Sequence, residues 1–371
     1  MKKPTVCLSM IVKDEEKDIE RCLKSVYKYI DYWVIIDTGS TDKTVKKIKS
    51  LMKNRFKVPG EIHERPWVDF SHNRNESLEI AETKGDYVMF MDADDIFIPE
   101  KSFSMNFLSD KYQAYHSYFK IHSSKFKRCL IVDSSMGWRY KGVMHEHIVI
   151  PKNSNQAIIP NLFIEANASP LKRFPTEKEK YLNDAKIIEE DLLKDPENTR
   201  SWFYLAQCYG DAGEPEKSME AYVKRSSMGG FREEVYLSLY RIALNMIELN
   251  KPKIEVIEAL SKAWEYMPYR KEAPSALMSA LIKDGRNFLA FTYGDMTVKS
   301  IQVFGESKEL FEMEQATNDM FPRYYGLAAE KCGFYPIAVA SYKILLKNNP
   351  DTIKSKELQK KIKELEEKCS V

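Results

Sequence analysis

Most of the features that announce a protein's surroundings are missing from this chain. Its six cysteines (Cys7, Cys22, Cys129, Cys208, Cys332, Cys369) are scattered and form no Cys-x-x-Cys pair. That excludes a disulfide-stapled scaffold and a zinc ribbon, and suits reduced thiols inside a cell. No apolar run approaches the ~18 residues of a membrane span. The opening Met1-Lys2-Lys3-Pro4 enters a strand-like stretch directly, without the apolar region of a secretory signal. An excess of one charge sign is missing too: 57 basic and 55 acidic residues leave a formal charge of +2, which offers nucleic acid no electrostatic footprint. The expectation is a soluble, cytoplasmic protein without nucleic-acid partner or membrane span. Its length suggests two domains, and 43% hydrophobic residues are ample for packed cores.

What is present is organised around Tyr87-Val88-Met89-Phe90-Met91-Asp92-Ala93-Asp94-Asp95. A short apolar run after the turn signal Lys84-Gly85-Asp86 reads as a strand buried on both faces, as in a parallel sheet covered by helices. Its carboxylates then fall at the strand's C-terminal end, where open α/β sheets place their ligand crevice. Acids so close repel one another unless something positive sits among them. Hard oxygen ligands suit Mg²⁺ or Mn²⁺, which can also hold a diphosphate; a solvated acidic turn is the plainer alternative.

Upstream, Thr5 to Val12 reads as a second buried strand. It is followed by a helix with Ile19, Cys22, Leu23, Val26 and Ile30 on one stripe. Trp33 to Asp37 is a third strand, again ending in a carboxylate. Thr38-Gly39-Ser40-Thr41-Asp42 makes the turn into a helix over Lys43 to Met52, with Val45, Ile48 and Leu51 inward. Strand, helix, strand, helix at this spacing is a βαβ unit. Asp37 and Asp92 then converge on one crevice. A carboxylate at a strand end suits a ribose hydroxyl, and a pair one residue apart suits a metal.

At this point the residues resemble a known family. Ser9 to Glu16, Ile36 to Thr44 and Asp92-Ala93-Asp94-Asp95 look like a family 2 glycosyltransferase of the GT-A fold. Phe70-Ser71-His72-Asn73-Arg74-Asn75 and the segment Trp138 to Glu146 add two matches to a subgroup that includes lipopolysaccharide-core and peptide-modifying glucosyltransferases. The pieces cover roughly the first 150 residues in the right order, which makes the match specific. The resemblance implies a UDP-sugar donor, a Mn²⁺ or Mg²⁺ ion and inversion at the anomeric carbon. It places Asp37 at the uracil or ribose with Glu15 nearby, Asp92 at ribose and metal, and Asp94 as the principal metal ligand. Arg74, near a helix start, suits diphosphate or base. Asp14 departs from the pattern, since asparagine is frequent there.

An inverting transferase needs one carboxylate base for the acceptor hydroxyl. Glu146, after the Gly142 bend and Trp138, is the candidate, with Trp138 offering a flat face to a sugar ring. His145 is a candidate metal ligand; against both stands an ordinary strand over Val143 to Ile150. A sugar-nucleotide-forming nucleotidyltransferase would want a glycine-rich phosphate loop after the first strand, where this chain has the acidic Lys13-Asp14-Glu15-Glu16.

From Thr176 the pattern becomes helical. Asp195-Pro196 with Trp202, Leu205, Ala206, Tyr209, Gly213 and Tyr222 resembles a tetratricopeptide repeat (TPR), and Gly326, Gly333, Ala338, Tyr342 and Pro350 fit the same template. The offset between the two is no multiple of the roughly 34-residue period. The interval is therefore expected to be irregular, with degenerate helices around Ala259, Ala263 and Pro268 and over Ala276 to Ile282. Lys354 to Lys368 reads as a capping helix through Leu358, Ile362 and Leu365. Residues 151–175, with prolines at 151, 160, 170 and 175, are expected to finish the sheet's edge. The expectation is a GT-A glycosyltransferase domain over 1–175 and an all-α TPR-like domain over 176–371. The helical domain would hold a glycan or polypeptide acceptor or mediate self-association. The rival from another class is a TPR scaffold whose transferase domain is inert.

Overall fold

The first three strands are the continuous apolar runs of the sequence: β1 (Val6–Val12), β2 (Tyr32–Asp37) and, later, β4 (Tyr87–Phe90). The computed structural model describes residues 3–109, 111–121, 124–166, 175–305, 313, 315–348 and 353–369. Between β1 and β2 lies α1 (Ile19–Val26), whose Ile19, Cys22, Leu23 and Val26 are fully buried, as is Ile30 beyond it. After β2, α2 (Thr44–Lys49) widens into a π-helical turn, Ser50–Phe56, and β3 (Gly60–Glu64) follows. Gly60 is required there, since a side chain would collide with the Trp33 indole on the neighbouring strand. Then comes α3 (Phe70–Ala81), capped by the Asp69 carboxylate, which accepts from the His72 N–H at 2.8 Å.

The remaining strands are β5 (Ile96–Pro99), β6 (Ala114–Ile121), β7 (Ser124–Asp133), β8 (Arg139–Lys141), β9 (His147–Val149) and β10 (Gln156–Glu165). The large sheet has the order β3-β2-β1-β4-β7-β6-β10-β5, with β8 and β9 forming a separate ribbon. β3, β2, β1 and β4 run parallel; β7 enters antiparallel to β4. The sheet is thus parallel in its first half, as the apolar runs predict, and mixed in its second. β10 does not finish an edge: it lies between β6 and β5. Pro160 is tolerated in this interior strand because the register breaks between Ile158 and Phe163, with Asn161 at φ 56°.

The chain divides into two compact units, Met1–Lys180 and Tyr181–Val371. The second begins within α4 (Glu177–Leu192) and continues through α5 (Thr199–Asp211), α6 (Pro215–Ser227), α7 (Arg232–Glu248), α8 (Lys253–Tyr266), α9 (Glu272–Lys283), α10 (Asn287–Phe304), α11 (Phe321–Lys331), α12 (Tyr335–Asn348) and α13 (Ile353–Cys369). Consecutive helices pack against one another from α5 to α10 and from α10 to α13. The interval expected to be irregular holds four full helices, α7 to α10. Their cores mix large side chains such as Tyr236, Leu260, Met278 and Phe291 with small ones such as Ala243, Ala263, Ala273 and Ala290, and the small ones do not recur at one fixed spacing. In α13 Ile362 and Leu365 are buried and Leu358 is half-buried, the face expected of a cap. Pro170 and Pro350 lie outside the described residues. No helix among the described residues is long and apolar enough to cross a membrane.

Candidate active site

Glu146 and Asp92 come from distant parts of the chain and meet on one guanidinium. Arg74 Nε donates to Glu146 Oε1 at 2.6 Å, and an Arg74 terminal nitrogen donates to Asp92 Oδ1 at 2.6 Å. Arg74 sits in the first turns of α3, and its side chain is only 9% exposed. Behind it lies the Tyr140 ring, 5.5 Å from the guanidinium carbon, fixed on its other side by Phe90. Arg74 is thus a buried bridge between two acids.

A second arginine completes the group. Arg128 donates to Asp92 Oδ2 at 3.1 Å, and its guanidinium lies 4.8 Å over the Phe119 ring. Its arrival follows from the register. Tyr87 pairs with Asp133, Val88 with Val132 and Met89 with Ile131. Continuing that antiparallel register past the end of β4 brings Arg128 opposite Asp92. Burial alone would raise the Asp92 carboxyl, but the two guanidinium groups outweigh it and hold the acid well below the usual carboxylate range. Burial likewise works against the charge on Arg74, yet Asp92 and Glu146 keep it firmly protonated.

The neighbouring acids serve the turn. Asp95 is 2% exposed and accepts the Asp92 N–H at 3.1 Å; burial, with Asp92 adding to it, pushes Asp95 up to about 7. The Asp94 carbonyl accepts from Arg21 at 3.2 Å, and the Asp92 carbonyl accepts from the Cys22 thiol at 3.3 Å. The strand-end loop is thereby tied to α1 through its backbone.

The β1 and β2 ends are stapled to each other. Asp14, at φ 54°, accepts the Thr41 N–H at 2.7 Å, while its own N–H donates to Ser40 Oγ. The bond from Thr41, outweighing the little burial there, keeps Asp14 below its ordinary value. The Glu15 N–H donates to Thr44 Oγ1 at 2.8 Å. Asp37, 3% exposed, accepts from the Gly39 and Ser40 N–H groups of its own turn. Gly39 stands at φ 99°, a conformation that favours glycine.

The structure thus brings Arg74, Asp92 and Glu146 together, sets Asp95 of the acidic turn beneath Asp92, and adds Arg128 and Tyr140, which sequence reasoning missed. Arg74 and Arg128 bond neither Asp94 nor His145 among the described residues. His145 is exposed at φ 50°, and only His147–Val149 of the following segment is strand. The Gly142 bend, at φ 109°, is close to the Glu146 backbone: a Cβ there would lie 3.5 Å from Glu146 Cα. Trp138 offers no face to a sugar. It is fully buried in the core and donates to the Asp133 carbonyl at 2.8 Å. Both Asp92 oxygens are engaged by guanidinium groups, and no cluster of three or more His, Cys, Asp or Glu among the described residues could hold a metal ion. As they stand, Asp92, Asp94 and His145 do not form a metal centre.

With this geometry in view, comparison with known proteins is informative. Residues 7–121 match the family described as glycosyl transferase family 2. They form a family 2 glycosyltransferase domain. The chain is 26% identical over 239 residues to the SPbeta prophage-derived glycosyltransferase SunS of Bacillus subtilis (strain 168), covering 60% of this chain and 53% of that protein. It therefore spans about half the length of the curated relatives it matches. It is also 35% identical over 96 residues to a TPR repeat-containing protein of Synechococcus elongatus, covering 26% of this chain and 22% of that one. Among solved structures, the MamA protein is similar over 47% of this chain and 85% of its own, at 20% identity and a TM-score of 0.34. A tetratricopeptide repeat protein from Parabacteroides merdae is similar over 52% and 69%, at 13% identity and a TM-score of 0.36.

Proposed function

We propose that the protein is an inverting hexosyltransferase that moves a sugar, glucose or N-acetylglucosamine, from a UDP-sugar to a hydroxyl of a glycan or polypeptide. The observation that carries this reading is the Arg74 bridge between Asp92 and Glu146, at the C-terminal end of a parallel strand. In the reaction Glu146 takes the acceptor's proton as its oxygen attacks the anomeric carbon. UDP departs from the opposite face, and cationic groups neutralise its growing charge. Asp94 would be the principal residue to hold a Mn²⁺ or Mg²⁺ ion, with Asp92 and His145 beside it, and the ion would supply positive charge to the leaving diphosphate. Asp37 and Glu15 belong to the stapled loops that would flank the nucleoside. With the transferase domain over 1–175 and the helical domain over 176–371, the helical domain would hold the acceptor or a second copy.

The test is a panel of UDP-sugars offered to the full chain, with sugar release measured with Mn²⁺ and with a chelator. Release from one sugar above the others supports the reading. A chain that binds no UDP and releases no sugar returns it to an interaction scaffold. Asp94→Ala should abolish metal-enhanced UDP binding; an unchanged enhancement removes the metal from the reading.

A further inference from the structure

Arg128 pairs with Ser117 of β6. It lies past the last paired residues of β4, and its side chain is 33% exposed. A guanidinium carries about five N–H donors in a rigid fork. One of Arg128's is engaged, at 3.1 Å on Asp92, and no other hydrogen bond of this side chain is found among the described residues. Arg74 has two engaged, one on each acid. Both planes lie over an aromatic ring, Phe119 for Arg128 and Tyr140 for Arg74, which fixes their orientation before anything binds. The two forks converge on one carboxylate, which presents to them the oxygens of a small anion.

Building on the transfer reading above, we propose that Arg74 and Arg128 form the receptor for the donor's diphosphate, with Asp92 and Glu146 as the internal anions that occupy it until the donor arrives. Planar, bidentate recognition of phosphate oxygens is what paired guanidinium groups do best. A diphosphate approaching Asp92, Asp94 and Glu146 without them would meet only negative charge. Arg128 is thereby a donor-binding residue, touching phosphate and neither base nor sugar.

The experiment is calorimetric titration of the full chain with uridine, UMP and UDP, with chelator present throughout. Wild type should bind UDP more tightly than UMP, and UMP more tightly than uridine. Arg128→Ala should weaken UDP by about 10–100-fold, the range for a charge-assisted hydrogen bond, and leave uridine unchanged. Arg128→Lys, which keeps the charge and loses the fork, should fall between. Arg128→Gln is shorter and neutral but keeps the aliphatic stem and an amide donor; it serves as a second variant should the alanine protein not fold. Arg55→Ala removes a surface arginine, 60% exposed, and should change nothing. Equal UDP affinity in wild type and Arg128→Ala overturns the proposal while leaving the transferase reading intact, as does an equal loss for uridine, which would mark a structural role. A wild type that binds no UDP at all overturns both.

Discussion

Each unit buries arginines against carboxylates, and the two do so in opposite ways. In the helical unit Arg225 is sealed, with 0% of its side chain exposed. Its three nitrogens donate to Glu234, the Gly229 carbonyl and the Phe231 carbonyl. Arg270, equally sealed, is bidentate on Glu272, whose oxygens also accept from the Tyr236 hydroxyl and the Met313 N–H. In the sheet unit Arg128 is a third exposed with one engaged donor, and Asp92 is 28% exposed. A saturated buried pair is a fastener: nothing can enter without breaking it. An unsaturated, half-open pair at a strand end can exchange its anion for another, and that difference separates framework from site.

The largest way to sharpen the contrast is at Glu146. Glu146→Gln keeps the shape and removes the proton acceptor, so kcat should fall by about 10²–10⁴. UDP affinity should not fall, because the base acts on the other substrate and a neutral amide competes less than a carboxylate for Arg74. Steady-state kinetics and UDP titration on the same preparation separate the two; an equal loss of UDP affinity would make Glu146 a donor ligand instead.

The fastener side is tested at Arg225. Arg225→Met leaves the buried Glu234 with only the half-buried Arg200, 3.2 Å from its other oxygen, and should cost the helical unit about 1–3 kcal/mol in urea unfolding. Replacing Arg225 and Glu234 together by Met should recover much of that loss. If the single variant unfolds like wild type, the pair is not a fastener and the comparison between units fails. Packing gives a smaller effect. A methyl at Gly326 of α11 would lie 2.7 Å from Tyr342 Cε1. Tyr342 cannot yield easily, because its hydroxyl donates to Glu330 at 2.8 Å and Lys361 lies over its ring. Gly326→Ala should therefore cost a net 1–2 kcal/mol, roughly, the overpacking outweighing the better helix propensity. A stabilised variant would show that the helix pair has slack at this crossing.

The same contrast explains what could be read from the sequence. β1, β2 and β4 were legible because each is an unbroken apolar run ending in acids, and α1 because its stripe is regular. The resemblance supplied Glu146 and Arg74 separately. Their union, and Arg128 altogether, were hidden because they depend on a register: residues 92 and 128 face each other only once β7 pairs antiparallel to β4. Trp138 was misread because an aromatic beside a glycine bend looks the same in sequence whether it faces a ligand or the core. In the helical unit the tetratricopeptide-like pairs α5–α6 and α11–α12 carried their small residues in view, while those of α7 to α10, such as Ala243, Ala263, Ala273 and Gly294, suggested only degenerate helices.

The smallest expected effect concerns His116, buried in β6. It is 8% exposed, and its Nε2 lies 2.7 Å from Gln156 Oε1. Burial, with Lys127 adding to it, depresses its pKa below the ordinary 6.5, although the Gln156 bond works the other way. A depressed histidine binds a proton more readily once the chain unfolds. Its contribution is therefore fully present above about 6.5 and is lost as pH falls toward the folded value. The loss can be no steeper than about 1.4 kcal/mol per pH unit for one group. His116→Gln keeps a polar side chain and removes the titration, so the wild-type urea midpoint should fall more between pH 7.5 and 5.5 than the variant's. Carboxylates titrate alike in both proteins and cancel in that difference. A wild type that resists acid better than His116→Gln would mean that the imidazolium is favoured in the fold, and that Gln156 outweighs burial.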